Sequence, residues 1–327
     1  MGSGVPSGYY PRLKSNLHFC LWAAAFATAL CSPGALRAQS ILQTAGNFAL
    51  LGATAITNNG AGATTIDNGN VGSAAAVTGF NDSNNDFPGT PGIVTPPFEI
   101  FAPGTTAFIA APGAVNTALN DLGTAHTGLL NLPTSLGDNL TGTNLGALGA
   151  PLTPGVFTDG DSVAQLNGTL VLNFQGQSNV AFVLQFTTAF NITSGSIIET
   201  ENTGSNDGVF FAAGTGGITV GNNATLVGNY LAGTAMTLGT GDTFDGRALA
   251  LTAGVTFAGQ PTGPVNAAGE PGGGDFTGGL ALNGTTVVFS SVPEPAAWFW
   301  LAPLGILAFT LGRRSFLRRV AATCLRE

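Results

Sequence analysis

The sequence predicts an all-β fold with one long helix, built as a β-solenoid of triangular section with the helix packed along one face. Three observations carry that expectation. First, Ile218–Ala235 (ITVGNNATLVGNYLAGTA) repeats as Met236–Ala253 (MTLGTGDTFDGRALALTA), since 218 + 18 = 236 brings Thr219 onto Thr237, Gly221 onto Gly239, Thr225 onto Thr243, Gly228 onto Gly246 and Leu231 onto Leu249. A fixed short period marks units that bury their apolar faces only against their neighbours. Second, apolar and polar residues alternate inside each unit with the period of a strand. Third, only Pro112–Leu132 has helical spacing.

Each unit divides into three short strands with Gly, Asn and Asp at the corners. The first is Ile218-Thr219-Val220, repeated as Met236-Thr237-Leu238; the second is Ala224-Thr225-Leu226, repeated as Asp242-Thr243-Phe244; the third is Asn229–Ala232, repeated as Arg247–Ala250. Alternation puts Ile218, Val220, Met236 and Leu238 inside, and Thr219 and Thr237 outside. Val255-Thr256-Phe257 opens a third copy one residue late, and Gly208–Ala213 is an upstream partial copy.

From the start, Arg12 and Lys14 precede an apolar run, Phe19–Leu30, with small residues up to Ala38. This reads as a secretory signal peptide over residues 1–38, to be removed by signal peptidase, and the run is too short to span a membrane. Phe48–Phe80, with Asn-Gly turns at Asn59 and Asn68, reads as the first one or two coils. A Pro/Asn-rich excursion, Asn81–Pro103, follows. Its Asp82-x-Asn84-x-Asp86 resembles the start of a calcium loop, but Phe87 stands where such loops need Gly and Ile93 where they need Glu, so no metal is assigned.

In Pro112–Leu132 the residues Val115, Leu119, Leu122, His126 and Leu129 form one stripe, between a Pro suited to the first turn and Pro133 suited to a stop. Such a helix needs a partner face. The third strands offer one if Tyr230, Ala232, Ala248 and Ala250 keep their outward side apolar. Leu119 and Leu122 are then expected to be buried against it, and His126 to be packed or capped, because a lone histidine lacks a catalytic partner. Strands resume over Thr141–Val156, Ala164–Phe174, Val180–Phe186 and Ala189–Ile198. The solenoid domain is expected over 39–260. Residues 261–291 read as a Gly/Pro-rich linker, with Leu280–Ser290 forming one last strand pair.

Composition excludes several functions. The chain of 327 residues is 44% hydrophobic and only 8% charged, against a usual ~25%. Between Gln39 and Val292 the sole base is Arg247, whereas 17 acids less Glu294 and Glu327 leave 15, a balance of −14. That is no footprint for nucleic acid. Glu199/Glu201, Asp159/Asp161 and Asp242/Asp245 are candidate carboxylate pairs for a polysaccharide-active enzyme. The bases or metal that such chemistry needs are missing, so an enzyme is not expected and no cofactor is implied. Cys20, Cys31 and Cys324 all lie outside the central segment, which therefore has neither disulfide nor thiol chemistry.

The C-terminus is tripartite. Pro293-Glu294-Pro295 precedes the apolar, uncharged Ala296–Gly312, and Arg313, Arg314, Arg318 and Arg319 follow. Seventeen residues at ~1.5 Å each give about 25 Å, at the short limit of a membrane span. The arginines put the C-terminus in the cytoplasm. Residues 292–327 resemble the PEP-CTERM sorting signal. The resemblance implies a Gram-negative bacterium, an exosortase that removes the tail, and a secreted or cell-surface protein that is membrane-anchored before processing.

The body, over roughly residues 45–260, resembles the bacterial and fungal β-solenoid ice-binding (antifreeze) proteins. The shared features come in order: FALLGATAITNNG at Phe48–Gly60, the Ala/Leu helix, LTPGVF at Leu152–Phe157, Val180–Phe186, and the coils from Gly208 onward. The resemblance implies a discontinuous right-handed β-helix with a helix alongside. It also implies that an ice crystal surface is the partner, giving antifreeze activity or inhibition of ice recrystallisation through a flat T-A/G-x-T/N face. That pattern occurs as Thr54-Ala55-Ile56-Thr57, Thr188-Ala189-Phe190-Asn191 and Thr234-Ala235-Met236-Thr237. With one extra residue it recurs as Thr215-Gly216-Gly217-Ile218-Thr219 and Thr252-Ala253-Gly254-Val255-Thr256. The candidate contact residues are Thr54, Ala55, Thr57, Ala189, Asn191, Gly217, Thr219, Thr234, Ala235, Thr237, Thr252, Gly254 and Thr256. An adhesive or biofilm-matrix surface protein is the alternative reading.

Overall fold

The computed structural model describes residues 40–60, 64–134, 138–257, 265–266, 276–283 and 286–289. The expected signal peptide, the three cysteines and the C-terminal sorting segment lie outside these residues. Among the described residues no helix is long and apolar enough to cross a membrane.

Three parallel faces run along one stack, as the 18-residue period requires. The first face has seven strands in the spatial order Val163–Leu166, Ala189–Ile192, Ile218–Val220, Met236–Leu238, Val255–Phe257, Ala55–Asn58, Ala76–Thr78. The repeat is the register itself: Ile218 pairs with Met236 and Thr225 with Thr243, each 18 residues on, while Met236 pairs with Val255 one residue late. The second and third strands of the two central coils are not separate. They run on as Thr225–Ala232 and Thr243–Ala250, bent at Gly228 and Gly246, whose φ angles are 108° and 156°. A Cβ on Gly246 would lie 1.8 Å from the Gly228 carbonyl oxygen, so only glycine lets these backbones meet at the corner.

Sequence order and spatial order differ. Two N-terminal coils sit at one end of the stack. The excursion from Asn81 to Pro103 closes that end, with Phe87 and Phe98 packed against the core. Its carboxylates are taken by local donors. Asp82 accepts from the amides of Asn84 and Ile100, and Asp86 from the amide and hydroxyl of Thr106. A short helix, Thr106–Ala110, then leads into the long one, Ala114–Leu130. Its 17 residues span ~25 Å, about five strand spacings, which carries the chain across the stack.

Winding restarts at the far end with Asn139–Leu152. Thr141–Val156 is not a strand as expected: up to Leu152 it makes only single bridges, Asn139 to Thr158, Asn144 to Gln165 and Leu152 to Leu172. The result is an irregular turn of chain that covers the otherwise open edges. Coils then stack back until the last meets the first, with Ala248 beside Leu50, Val255 beside Ile56 and Val265 beside Ile66.

Two apolar layers result. Inside the coils lie Phe182, Phe186, Phe190, Phe211, Tyr230, Phe244 and Phe257. Phe186 stacks on Phe190 at 4.1 Å and Phe211 on Tyr230 at 4.6 Å. The second layer lies between the third face and the helix. Two sequence expectations fail there. Tyr230, Ala232, Ala248 and Ala250 point inward, and it is Leu231 and Leu249 that meet the helix, with Val183, Phe210 and Ala212. The alternation runs unbroken from Leu226 through Gly228 to Tyr230, so the third strand keeps the phase of the second. The buried helix stripe is Val115, Ala118, Leu122, Ala125 and Leu129, whereas Leu119 is only partly covered. Ala118 and Ala125 allow close approach to the sheet, which rotates Leu119 to the flank.

Three large polar side chains at this layer are paired. His126 is buried with Nε2 2.7 Å from the Ala213 carbonyl, and burial pushes its pKa down, against that hydrogen bond. Gln185 donates to the Leu129 and Leu132 carbonyls and so caps the helix C-terminus. Arg247, 2% exposed, donates to the Gly46 carbonyl and to Asn229 Oδ1. Part of the expected linker belongs to the body: Val265–Asn266 pairs in the stack and Phe276 is buried against Phe174. The last strand pair expected within Leu280–Ser290 forms, as an antiparallel hairpin of Leu280–Asn283 with Thr286–Phe289.

Candidate functional site

The outward side of the first face is the candidate site. Each strand there is three or four residues long, and one residue of each, in register along the stack, is turned in. Phe190, Ile218, Met236, Val255, Ile56 and Val77 are all at most 2% exposed. The residues on either side must then point out, and they form two columns along the stack. One column reads Val163, Ala189, Gly217, Ala235, Gly254, Ala55, Ala76. The other reads Gln165, Asn191, Thr219, Thr237, Thr256, Thr57, Thr78. The register pairs Asn191 with Thr219, Thr219 with Thr237, Thr237 with Thr256, Thr256 with Thr57 and Thr57 with Thr78. Five threonines in unbroken succession result, spaced ~4.8 Å apart along the stack.

Ten of the thirteen candidate residues fall in these columns: Ala55, Thr57, Ala189, Asn191, Gly217, Thr219, Ala235, Thr237, Gly254 and Thr256. Thr54, Thr234 and Thr252 sit at the corner that leads into the face. There the Thr54 amide donates to the Ala253 carbonyl, and the Thr234 amide to Gly216. Thr252 turns its hydroxyl back onto the Gly233 carbonyl, which makes it a corner residue rather than a member of the columns. Asn191 shares its amide with Gln165 at 3.0 Å, so hydroxyls give way to paired amides at that end.

The extra residue in two copies is confined to the corner. Between the inward residues Ala232 and Met236 there are three residues, but four between Ala213 and Ile218 and between Ala250 and Val255. The face beyond stays in register. The fourth residue brings Gly217 and Gly254 close to their neighbours: a Cβ would lie 2.5 Å from the Ala235 carbonyl oxygen at Gly217, and 2.2 Å from that of Ala55 at Gly254. Alternation of Ala and Gly in the first column therefore follows from corner length.

Sequence reading missed Ala76 and Thr78. Ala75-Ala76-Val77-Thr78 has the inward-outward pattern but starts with Ala instead of Thr, and 55 + 21 = 76 was the signal available.

None of the column residues carries a charge. The side chains of Thr have one branched torsion, so holding them in rows loses little entropy. Charge is gathered elsewhere, on the second face, where Asp67, Glu199, Glu201 and Asp245 point outward. The candidate carboxylate pairs are not built as acid–base sites. Glu199 lies beside Val171, and Glu201 accepts from Asn173. Asp159, its pKa pushed up by burial, accepts from the Asp161 amide. Asp242 accepts from the amides of Ala224 and Gly239, and burial pushes its pKa up to about 6 despite them. Among the described residues no cluster of three His, Cys, Asp or Glu side chains could hold a metal ion.

The fold and this face define a parallel β-solenoid with an uncharged, in-register row of threonines along one side. The sequence model of the Ice-binding-like family matches residues 50–261, and the chain belongs to that family. It is 38% identical over 219 residues to an ice-binding protein of Nostoc sp. (strain HG1), covering 67% of this chain and 71% of that one. The fold is shared with the crystal structure of an ice-binding protein from the Antarctic ascomycete Antarctomyces psychrotrophicus (TM-score 0.55, 24% identity, 70% of this chain and 98% of that one). It is also shared with an ice-binding protein domain of Shewanella frigidimarina (TM-score 0.55, 23% identity, 69% and 97%).

Proposed function

We propose that the chain is an exported ice-binding protein that adsorbs to ice through its first face. The carrying observation is the row Thr219, Thr237, Thr256, Thr57, Thr78 beside a column of Ala and Gly. Neighbours along the row are ~4.8 Å apart and outward neighbours along a strand ~6.6–7 Å apart. Methyls and hydroxyls held at those spacings by a close-packed core order water into a lattice that merges with ice. The relatives are named ice-binding proteins, and in this reading the chain is not an enzyme. Purified Gln39–Ser291 should show thermal hysteresis and suppress ice recrystallisation. A folded protein inactive in both would move the assignment to an adhesive matrix role.

The same reading makes residues 1–38 a signal peptide and Pro293–Pro295, Ala296–Gly312 and Arg313-Arg314 a PEP-CTERM sorting signal processed by an exosortase. The tripartite composition supports it. Deleting Ala296–Glu327 should leave folding intact and change surface sorting. Full-length protein held in the cytoplasm with an uncleaved N-terminus would refute it.

A further inference from the structure

The C-terminal hairpin fixes where the chain leaves the body. Phe276 is 6% exposed and stacks on Phe174, its carbonyl accepting from the Val209 amide and from Asn229. Gly278 donates to the Asp207 carbonyl. Leu280 and Val287 then enter the layer beneath the long helix, with Val287 lying against Gly128. The last described strand ends at Phe289, on the helix side. Ser40 begins the described chain on that side too. Ile41 and Leu42 are fully buried in the helix layer, and Thr44 donates its amide and hydroxyl to Asp121.

Only residues 290–295 separate Phe289 from the apolar run Ala296–Gly312. Seven steps of chain reach at most ~25 Å. With that run in a bilayer, the helix side is held next to the lipid.

The charge distribution agrees. Between Asn116 and Asn131 the helix shows Asn116, Thr117, Asn120, Thr124 and Thr127 outward, and its one acid, Asp121, is tied down by Thr44. The second face, with Asp67, Glu199, Glu201 and Asp245, would be repelled by anionic headgroups.

We propose that the side carrying the long helix is the membrane-facing side of the anchored protein, its partner the lipid surface that holds Ala296–Gly312, and that the threonine face is thereby turned away from the lipid before any C-terminal processing. The inference rests on the reading of Ala296–Gly312 as a membrane segment.

The test uses the full chain with Cys20, Cys31 and Cys324 replaced by Ser. It is reconstituted into phosphatidylethanolamine/phosphatidylglycerol vesicles that contain a headgroup energy acceptor. A donor dye is attached at Asn120→Cys or at Thr237→Cys. Asn120 lies on the helix side and Thr237 on a different face of the stack, so quenching at position 120 should be the stronger. Failure of the chain to float with the vesicles would remove the membrane segment, and the inference with it. Flotation with equal quenching, or stronger quenching at 237, would overturn the orientation alone. Neither outcome bears on ice binding.

Discussion

Thr57 and Thr256 are paired neighbours on adjacent parallel strands of one face, although almost the whole body separates them in sequence. The N-terminal coil thereby lengthens the row that the C-terminal coils begin. Thr57 then stands in the interior of the row, with Thr78 as its end.

Adsorption by this row predicts that Thr237→Tyr and Thr57→Tyr lower thermal hysteresis to similar extents, because each ring would stand out of the plane in mid-row. Both residues are at the surface, so stability should change by no more than ~0.5 kcal/mol. Thr243→Tyr, on the second face, is the control and should keep activity. Equal loss in all three, or activity untouched in all three, would exclude the first face.

Helix packing predicts different costs for two leucines one turn apart. Leu122 is fully buried, and Leu122→Ala should cost ~2–5 kcal/mol by urea denaturation. Leu119 is only partly covered and should cost clearly less when changed to Ala. The reverse order would mean that the helix presents a different stripe.

The continuous central strands depend on their glycine corners. Gly246→Ala sets a Cβ against the Gly228 carbonyl at a φ that side chains rarely adopt, and should cost more than ~2 kcal/mol. A midpoint of thermal unfolding within a degree of the parent would show that the corner relaxes freely.

Arg247→Met should also destabilise the protein. It would leave the buried Asn229 Oδ1 without its donor, at ~1–3 kcal/mol, and remove the partner of the part-buried Gly46 carbonyl. Unchanged denaturation would mean that water replaces the guanidinium.

Two buried groups give opposite pH dependences. Asp242 has its pKa raised to about 6, so its protonation contributes stability that is complete below ~4 and lost as pH rises through about 6. His126 has its pKa lowered, so its neutral form contributes stability present above ~6.5 and lost as pH falls. Thermal midpoints measured from pH 4 to 7 should show the parent gaining on Asp242→Asn as pH falls. A constant difference across that range would place the Asp242 carboxyl at its ordinary pKa.

The sequence by itself determined what one coil needs. Alternation in Ile218–Val220 and Met236–Leu238 is a local property, and with an apolar core it settles which side chains face water. The 18-residue repeat likewise sets the register, and the long helix was legible because its apolar residues recur at helical spacing between Pro112 and Pro133, whereas the five-residue Thr106–Ala110 is too short to show a period. Tertiary structure alone decided the phase of the third strand, where Gly228 takes an inward place and Leu231 rather than Tyr230 meets the helix. It also decided the helix stripe, since the small side chains of Ala118 and Ala125 matter only against a sheet. Above all it decided that Val255–Phe257 lies on Ala55–Asn58. Nothing local encodes that contact. It arises because an open end of a parallel stack has unpaired backbone groups and uncovered apolar side chains, and the helix had already carried the chain to where winding back would cover them.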